Sequence, residues 1–386
     1  MNPLAAHYSR FRVAERCLLT GHSHQAWPDA AFDGQQRAWL DAAEHVDDKW
    51  PRAEAQADAV RAGFARLLGD HPSNIALGQN THEMVTRLLS ALPLRTRPHV
   101  VATDAEFHSL RRQLDRLDET KLVRVEKVAA RPVATLAARL AQQVTDQTAC
   151  VIVSSVLYDT AEIVPDLDVL ARACSFRGAD LLVDAYHHLN VVPFDIVRLG
   201  CADAFVTGGG YKYCQLGEGN AFLRVPPGRR MRPVLTGWFA EFAHLEARPA
   251  GGVQYAAGAA AFAGATYDPT SHYRAAAVFR FHDEQRLTAD RLREVSRRQV
   301  ARLEAAVETL DADERVLRVE PMPGERRGGF LALRSTKALA IALALRARSV
   351  LTDARGDILR LGPAPYLDDA QLDTAVAALG EVLRTF

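Results

Sequence analysis

Cysteine is scarce in this chain of 386 residues and follows no pattern. The five cysteines form no C-x-x-C pair and keep no regular spacing. Because disulfide frameworks and structural zinc sites need such patterns, we expect reduced thiols in a cytoplasmic protein and no metal site. No cysteine follows Cys214, so the C-terminal part of the chain has no nucleophilic thiol.

The chain also lacks a net charge and a long apolar run. Its 47 basic and 47 acidic residues cancel, which leaves no field of one sign to attract nucleic acid or a membrane surface. No stretch approaches the ~18 apolar residues of a membrane span. Residues 1–12 lack the apolar segment of a signal peptide. We therefore expect a small-molecule ligand and neither a nucleic-acid nor a membrane partner.

Short β-branched runs alternate with helical patterns over most of the chain. Strands that are apolar throughout and separated by helices are typical of a mostly parallel sheet covered on both faces, which predicts an α/β fold. In such sheets ligands bind at the carboxyl ends of the strands. The clearest strand candidates are Ile75–Gly78, His99–Ala102, Val151–Val156, Leu181–Tyr186, Ala204–Gly208 and Phe222–Val225.

The pattern predicts two folded domains and an N-terminal arm. Residues 1–50 carry little strand signal, and we expect them to pack with the smaller domain. Residues 51–285 are predicted to form the large domain. The sequence from His272 to Leu310 predicts one or two long helices. Strand and helix patterns then alternate, which predicts a small α+β domain at residues 286–386.

One apolar run in the middle of the chain ends in a carboxylate. The segment LLVDAYHHL begins at Leu181 and places Asp184 at the end of a predicted buried strand, with His187 three positions later. A buried carboxylate is costly unless a cation accompanies it. Two interpretations are open. Asp184 caps the next helix, or it holds a cationic ring nitrogen protonated.

Lysine is the rarest charged residue, with five lysines against 42 arginines. Lys212 stands alone between Lys127 and Lys337, and it follows a predicted strand and the glycines Gly208–Gly210. Successive glycines let the backbone approach a bulky group, and a lysine beside them suits a Schiff base with an aldehyde. The alternative is a surface lysine in a glycine loop.

Asp184 and Lys212 together fit pyridoxal phosphate, which needs a lysine for its aldehyde and an acid opposite its ring nitrogen. The cofactor also needs a phosphate site and a ring to stack on. Asn80 and Thr81 begin a predicted helix directly after a strand, and a helix N-terminus binds phosphate through free N–H groups; plain capping is the alternative. Phe107 follows the next predicted strand and is a candidate stacking ring, although core packing is the commoner role of a single phenylalanine.

These motifs resemble those of the class-V aminotransferase-like, fold type I pyridoxal-phosphate enzymes, and within them kynureninase. The resemblance extends from about Leu18 to Tyr366. It rests on a D-x-x-H element at Asp184 and His187 and on a Y-K pair at Tyr211 and Lys212. The resemblance implies a fold type I large domain with a smaller α+β C-terminal domain, His187 near the cofactor ring and Tyr211 beside its phosphate.

Further cofactor residues follow from the resemblance alone. It implies Phe107 as the stacking ring and Asn80 and Thr81 as phosphate ligands. The stretch MRPVLTGWF is similar to the family's R-P-x-x-x-G-W, which implies Trp238 at the phosphate, reaching across the interface of a homodimer. Thr266 is implied as another cofactor-binding residue.

The substrate side departs from the family pattern. The segment DARGDILRLGPAPY, from Asp353, resembles a kynureninase stretch whose arginine binds the substrate α-carboxylate, which implies that role for Arg360. A surface arginine on a strand is the alternative. The family's N-terminal G-N-S-L-G reads GHSHQ here, which makes His22, Ser23 and His24 candidates for substrate binding. Two further stretches differ from the family pattern. AGATYDPTS stands where kynureninases have a short element of the aryl-ketone pocket, and the family's C-terminal P-L-Y-N reads Pro365-Tyr366-Leu367 here.

The sequence thus predicts a pyridoxal-phosphate-dependent enzyme that acts on a free amino acid. Lys212 is the expected base at Cα, and kynureninase-like hydrolytic cleavage of Cβ–Cγ is the leading reaction. The alternatives are a β-lyase, aminotransferase or epimerase on a different amino acid, a non-catalytic binding or regulatory protein of this fold, and a nucleotide-binding protein using Gly208–Gly210. A cysteine desulfurase is disfavoured because no cysteine follows Cys214.

Overall fold

The computed structural model describes residues 2–244, 252–310 and 312–386. Within these ranges, no helix is long and apolar enough to cross a membrane. The strands are β1 (Cys17–Leu18), β2 (Ile75–Gly78), β3 (His99–Thr103), β4 (Arg124–Val128), β5 (Thr148–Ser154), β6 (Asp180–Asp184), β7 (Phe205–Gly209), β8 (Ala221–Arg224), β9 (Arg318–Val319), β10 (Leu331–Arg334), β11 (Val350–Leu351), β12 (Asp353–Arg355) and β13 (Ile358–Leu361). The α-helices are α1 (Ala30–His45), α2 (Trp50–Leu68), α3 (Thr81–Ala91), α4 (His108–Glu119), α5 (Leu136–Gln142), α6 (Leu167–Arg177), α7 (Thr270–Glu284), α8 (Ala289–Glu308), α9 (Ala338–Arg346) and α10 (Asp369–Leu383).

A seven-stranded sheet forms the centre of the larger part of the molecule, in the order β2-β8-β7-β6-β5-β3-β4. The strands β4, β3, β5, β6 and β7 are parallel, whereas β8 runs antiparallel to both of its neighbours. The carboxyl ends of the parallel strands therefore lie along one edge of the sheet. The predicted α/β class with a mostly parallel sheet is confirmed.

Both faces of this sheet are covered, which explains why its strands are apolar throughout. Val151 and Val153 of β5 point into a core that also contains Leu170 of α6. The alternate residues Cys150 and Ile152 point into a second core, lined by α3 and α4. Every residue of β5 is buried, so this strand shows no polar face in the sequence.

A smaller antiparallel sheet, in the order β12-β13-β10-β9, lies in the C-terminal part. Its core includes residues of α8, α9 and α10, together with Tyr8, Leu18 and Leu19 of the N-terminal segment. The strand β1 pairs in parallel with β11, which joins the start of the chain to this smaller core. The domain limits 1–50, 51–285 and 286–386 stay predictions.

The six predicted strands of the large sheet agree with the structure to within a few residues. The edge strand β4 was not predicted, because its sequence RVEKV is charged and partly exposed. The very short strands β1, β9, β11 and β12 were also not predicted, since two or three residues give no periodic signal.

Candidate active site

A cavity of about 260 Å³ opens at the carboxyl ends of the parallel strands. It is lined by the residues that follow β2, β3 and β7 and by the last residues of β5 and β6, Ser154 and Asp184. This is where ligands bind in open α/β sheets. Of the predicted site residues, the cavity brings together Asn80, Thr81, Phe107, Asp184, His187, Tyr211 and Lys212.

Lys212 lies in the cavity wall and is only 4% exposed, so the surface-lysine interpretation is wrong. Its Nζ is 2.6 Å from Nε2 of His187. The rings of Tyr186 and Phe107 lie beside it, with centroids 4.5 and 5.0 Å from Nζ. Burial lowers the pKa of Lys212 to about 7, and the charge of Asp184 opposes this shift. The side chain is therefore largely an uncharged amine above neutral pH.

Asp184 is the last residue of β6 and is also buried. Its neighbours in register are Ser154 of β5 and Thr207 of β7. Its Oδ1 accepts a hydrogen bond of 2.9 Å from the backbone N–H of Tyr186. Burial raises the pKa of Asp184, and this backbone bond and the charge of Lys212 act in the opposite direction. The chain turns after Asp184 instead of beginning a helix, so the helix-cap interpretation is wrong.

The three glycines before Lys212 make room for side chains of the same protein. A Cβ atom on Gly209 would lie 2.5 Å from the hydroxyl oxygen of Tyr186, and one on Gly210 would lie 2.6 Å from Cβ of Leu216. Gly208 and Gly209 belong to β7. This run is therefore not a phosphate loop, and the nucleotide-binding alternative loses the motif on which it rested.

The helix α3 begins at the cavity wall. Asn80 is its N-cap, and the Asn80 Oδ1 accepts a hydrogen bond of 2.9 Å from the N–H of Glu83. The capping interpretation therefore describes the helix start correctly. Because Asn80 and Thr81 also line the cavity, the positive end of the helix dipole faces it, which suits an anion there.

Phe107 is a cavity residue rather than a core residue. Its ring contacts that of Tyr158 edge to face, with the centroids 5.5 Å apart, and Tyr158 also lines the cavity. Glu106 precedes it and is buried behind the cavity wall. Sequence reasoning did not single out Glu106, although its place beside a candidate stacking ring was a usable signal.

Arg360 is buried at 2% exposure on β13, so the surface-arginine interpretation is wrong. Its Nε donates to Oδ1 of Asp353 over 2.9 Å, and its Nη2 donates to Oδ2. Its Nη1 donates to the carbonyl of Tyr158 over 2.6 Å. The guanidinium does not line the cavity itself but bonds to Tyr158, which does. Substrate binding by Arg360 stays a prediction.

His22 belongs to the same buried cluster as Arg360. Its Nε2 is 2.7 Å from Oδ1 of Asp353, and burial, together with the nearby charge of Arg360, lowers its pKa to about 4. It is fully buried and does not line the cavity. Ser23 does not line it either, and its hydroxyl donates to the carbonyl of Thr20. Substrate binding by both residues stays a prediction.

His24 lies near the cavity without lining it. Its ring stacks on Tyr211, with the centroids 4.9 Å apart and the planes 19° apart. Its Nε2 is 3.8 Å from a carboxylate oxygen of Glu218. Tyr211 and Glu218 are both cavity residues, so His24 contacts the outer side of the wall.

Trp238 and Thr266 are not brought to the cavity of a single chain. Trp238 begins a short 3-10 helix and is 45% exposed. The two segments contact each other, since the N–H of Phe239 donates to the carbonyl of Gly264. Their roles in cofactor binding stay predictions.

Several cavity residues were missed by sequence reasoning. Ser154 was detectable in principle, because it lies near the carboxyl end of a predicted strand. The others carry no motif and reach the cavity only through the fold. The missed residues are Gln79, His82, Ser109, Ser154, Val156, Tyr158, Tyr186, Glu218, Gly219 and Asn220.

The residues present fit pyridoxal phosphate. The cavity contains a buried lysine, a buried carboxylate, an aromatic ring and a helix N-terminus, and these are the groups that this cofactor requires. In addition, Nδ1 of His187 is buried without a hydrogen-bond partner in the described chain. Among the described residues, no group of three His, Cys, Asp or Glu side chains could hold a metal ion.

Comparison with known proteins supports the same class. Residues 292–379 match the family model of the kynureninase C-terminal domain. The chain is 23% identical over 346 residues to an uncharacterized aminotransferase, YcbU, of Bacillus subtilis (strain 168), covering 88% of this chain and 87% of that protein. It is 28% identical over 358 residues to kynureninase of Deinococcus radiodurans, covering 90% of this chain and 82% of the relative.

Solved structures show the same fold. A mutant of C-DES with glycine covalently linked to the PLP cofactor covers 98% of this chain and 99% of its own, with a TM-score of 0.85 and 17% identity. The apo cysteine desulfurase of Thermococcus onnurineus NA1 covers 100% and 99%, with a TM-score of 0.83 and 15% identity. The predicted fold type I architecture and the resemblance to kynureninase-like class-V enzymes are confirmed, and so is the prediction of an enzyme.

Proposed function

We propose that this chain is a pyridoxal-phosphate-dependent enzyme that acts on a free α-amino acid, with hydrolytic Cβ–Cγ cleavage as the leading reaction. The observation that supports it most is the pair formed by buried Lys212 and buried Asp184 in one cavity at the sheet edge. The kynureninase C-terminal domain match contains Arg360. The free, buried cysteines fit a cytoplasmic location, which we also propose.

The cofactor, when bound, supplies an electron sink for the bond broken at the substrate Cα. The chain supplies the other functions. Lys212 has a pKa of about 7, so at neutral pH a large fraction is the uncharged amine that can attack an aldehyde or accept a proton. Asp184 would hold a proton on the cofactor's ring nitrogen. Asn80 and Thr81, at the start of α3, would bind its phosphate.

Arg360 keeps donors free for a substrate carboxylate. A guanidinium has five N–H groups, and Asp353 and the Tyr158 carbonyl occupy three of them. One N–H on each terminal nitrogen is left, which is enough to bind a carboxylate. The partners fix the guanidinium plane before the substrate arrives, and this lowers the cost of binding.

A β-lyase is the second candidate. One solved structure with a similar fold is a complex of the cystine C-S lyase C-DES with its reaction product, cysteine persulfide, at a TM-score of 0.83 and 16% identity. Such cleavage needs the same lysine and no cysteine in the C-terminal part. An aminotransferase or an epimerase would use the same cofactor site and would be distinguished by its product. A purely regulatory protein would use the site and release no product. A desulfurase stays disfavoured, since no cysteine follows Cys214.

The test is the visible spectrum of the purified protein loaded with pyridoxal phosphate, followed by product analysis. We expect a visible band that changes on adding L-kynurenine, with release of alanine and anthranilate. Lys212→Ala should abolish the band. Lys337→Ala is the matched control, because Lys337 is exposed at the start of α9, and it should keep the band.

Each outcome has a distinct meaning. A band that ignores L-kynurenine but responds to L-cystine, with release of pyruvate and ammonia, would favour the β-lyase. A band that responds to no amino acid would favour the regulatory function. The absence of a band in the wild-type protein, at saturating pyridoxal phosphate, would contradict the whole proposal.

A further inference from the structure

A second buried carboxyl group lies behind the cavity wall. Glu106 is 2% exposed and occupies the loop between β3 and α4, directly before Phe107. It does not line the cavity. Within the described ranges, no lysine, arginine or histidine forms an ion pair with it. A buried carboxyl group without a cation is unusual and needs a reason.

Three donors hold this carboxyl group in one orientation. The Thr103 hydroxyl donates to Oε1 over 2.7 Å. The Ser154 N–H donates to Oε1 over 3.2 Å, and the Ser154 hydroxyl donates to Oε2 over 2.6 Å. These bonds tie the loop that presents Phe107 to the ends of β3 and β5. Glu106 thus links the residue before Phe107 to two strands of the sheet.

Glu106 is also electrostatically linked to Asp184. Ser154, which binds Glu106, is the register neighbour of Asp184 in the sheet. Burial raises the pKa of Glu106 to about 7, and the charge of Asp184 adds to this shift. The groups that face Glu106 from β3 and β5 are the uncharged hydroxyls of Thr103 and Ser154, so Asp184 on β6 is the charged group that acts on it.

We propose that Glu106 is a positioning residue of the active site, which fixes Phe107 at the cavity and whose charge raises the proton affinity of the groups bound beside Asp184. This inference rests on the proposed cofactor site. An ionised Glu106 favours protonated forms nearby, because a negative charge stabilises a proton on a neighbouring group. Its two effects are separable, because a glutamine removes the charge but can still make three hydrogen bonds. Its Oε1 accepts from Thr103 and from the Ser154 N–H, and its NH2 donates to the Ser154 hydroxyl, which then acts as the acceptor.

The experiment compares Glu106→Gln, Glu106→Ala and the wild-type protein. One measurement is the dissociation constant of pyridoxal phosphate, titrated into the apo-protein and followed by absorbance. The other is the pH midpoint of the visible band of the loaded protein, followed between pH 6 and 9. Glu119→Gln is the matched control, because Glu119 is exposed at the end of the same helix that Phe107 precedes.

We expect Glu106→Gln to bind the cofactor within about threefold of wild type and to move the pH midpoint down by roughly one unit. A unit charge about 10 Å away, at an effective dielectric constant of about 20, has an effect of this size. Glu106→Ala loses all three anchoring bonds and should weaken cofactor binding about tenfold or more. Glu119→Gln should change neither quantity.

The outcomes separate this inference from the proposed function. A wild-type protein that forms no visible band overturns both. A wild-type band with an unchanged midpoint in Glu106→Gln overturns the electrostatic role and leaves the cofactor site standing. Wild-type affinity in a folded Glu106→Ala overturns the positioning role. If Glu106→Ala does not fold, the midpoint of Glu106→Gln still decides the electrostatic role, and the cofactor affinity of Ser154→Ala, which lacks the hydroxyl bond to Oε2, decides the positioning role: wild-type affinity there overturns it.

Discussion

At the scale of single residues, the buried Lys212 predicts an unusual pH dependence. Its pKa is lowered to about 7 by burial, whereas an ordinary lysine titrates near 10.4. Only the uncharged amine attacks an aldehyde, so capture of pyridoxal phosphate by the apo-protein should rise with pH through a midpoint near 7. Stopped-flow absorbance measures this rate. Asp184→Asn removes the charge that raises the Lys212 pKa and should lower the midpoint. A wild-type midpoint near 10 would contradict the burial argument.

The cluster of His22, Asp353 and Arg360 predicts the effect of a single substitution. Asp353→Asn removes the negative charge between two buried side chains, which should cost about 2–3 kcal/mol of stability. Because Arg360 loses its orientation, KM for the amino-acid substrate should rise about tenfold, an effect of about 1.4 kcal/mol. Thermal unfolding and steady-state kinetics measure the two effects.

The matched control for that substitution is Asp357→Asn on the same hairpin. Asp357 is 50% exposed and pairs with Arg334 at the surface, where ion pairs contribute less than about 1 kcal/mol. It should leave KM unchanged. An Asp353→Asn variant that binds its substrate like wild type would show that Arg360 does not bind the carboxylate through this arrangement.

Single residues of the site differ in how far the sequence reveals them. Asp184 and Lys212 were predictable, because each follows an apolar strand and their chemistry matches one cofactor. The pairing of Arg360 with Asp353 joins neighbouring strands of a hairpin, and the bond to Tyr158 spans 202 positions. Glu106 and Ser154 lie 48 positions apart. Contacts of this kind depend on tertiary structure, so no local pattern predicts them.

At the scale of elements, the start of α3 has two functions that can be separated. Asn80→Ala removes the N-cap bond to Glu83, which should cost about 1 kcal/mol, and it should also weaken cofactor binding severalfold if the helix start binds phosphate. Thr288→Ala is the matched control, since Thr288 caps α8 in the same way, away from the cavity. It should lower stability comparably and leave the cofactor affinity unchanged. Equal affinities in the two variants would exclude phosphate binding by this cap.

Elements buried on both faces were the most predictable, and those at the edge the least. The strands β5 and β6 are nearly continuous apolar runs because cores cover both sides of them. The strand β4 pairs only with β3 and exposes part of its surface. Its sequence RVEKV has three charged residues, two of them adjacent, so it shows neither an apolar run nor a strict alternation that would predict a strand.

At the scale of the whole molecule, a cluster of exposed apolar side chains supports the predicted homodimer. Val234, Leu235, Trp238 and Phe242 are 79%, 51%, 45% and 60% exposed in one chain. Exposed apolar side chains grouped along one segment are typical of an interaction surface. If Trp238 binds the cofactor of a partner subunit, this surface must lie at the dimer interface.

Light scattering should therefore give twice the chain mass of 42.3 kDa. Leu235→Asp places a charge on the expected interface and should shift the protein toward monomers, because an unpaired charge is costly to bury. Its affinity for pyridoxal phosphate should fall together with the dimer fraction, since Trp238 then no longer reaches the partner's site. Phe176→Asp is the control: Phe176 is 83% exposed on α6, and the change should preserve the dimer. A monomeric wild-type protein that binds the cofactor tightly would rule out the role of Trp238 across an interface.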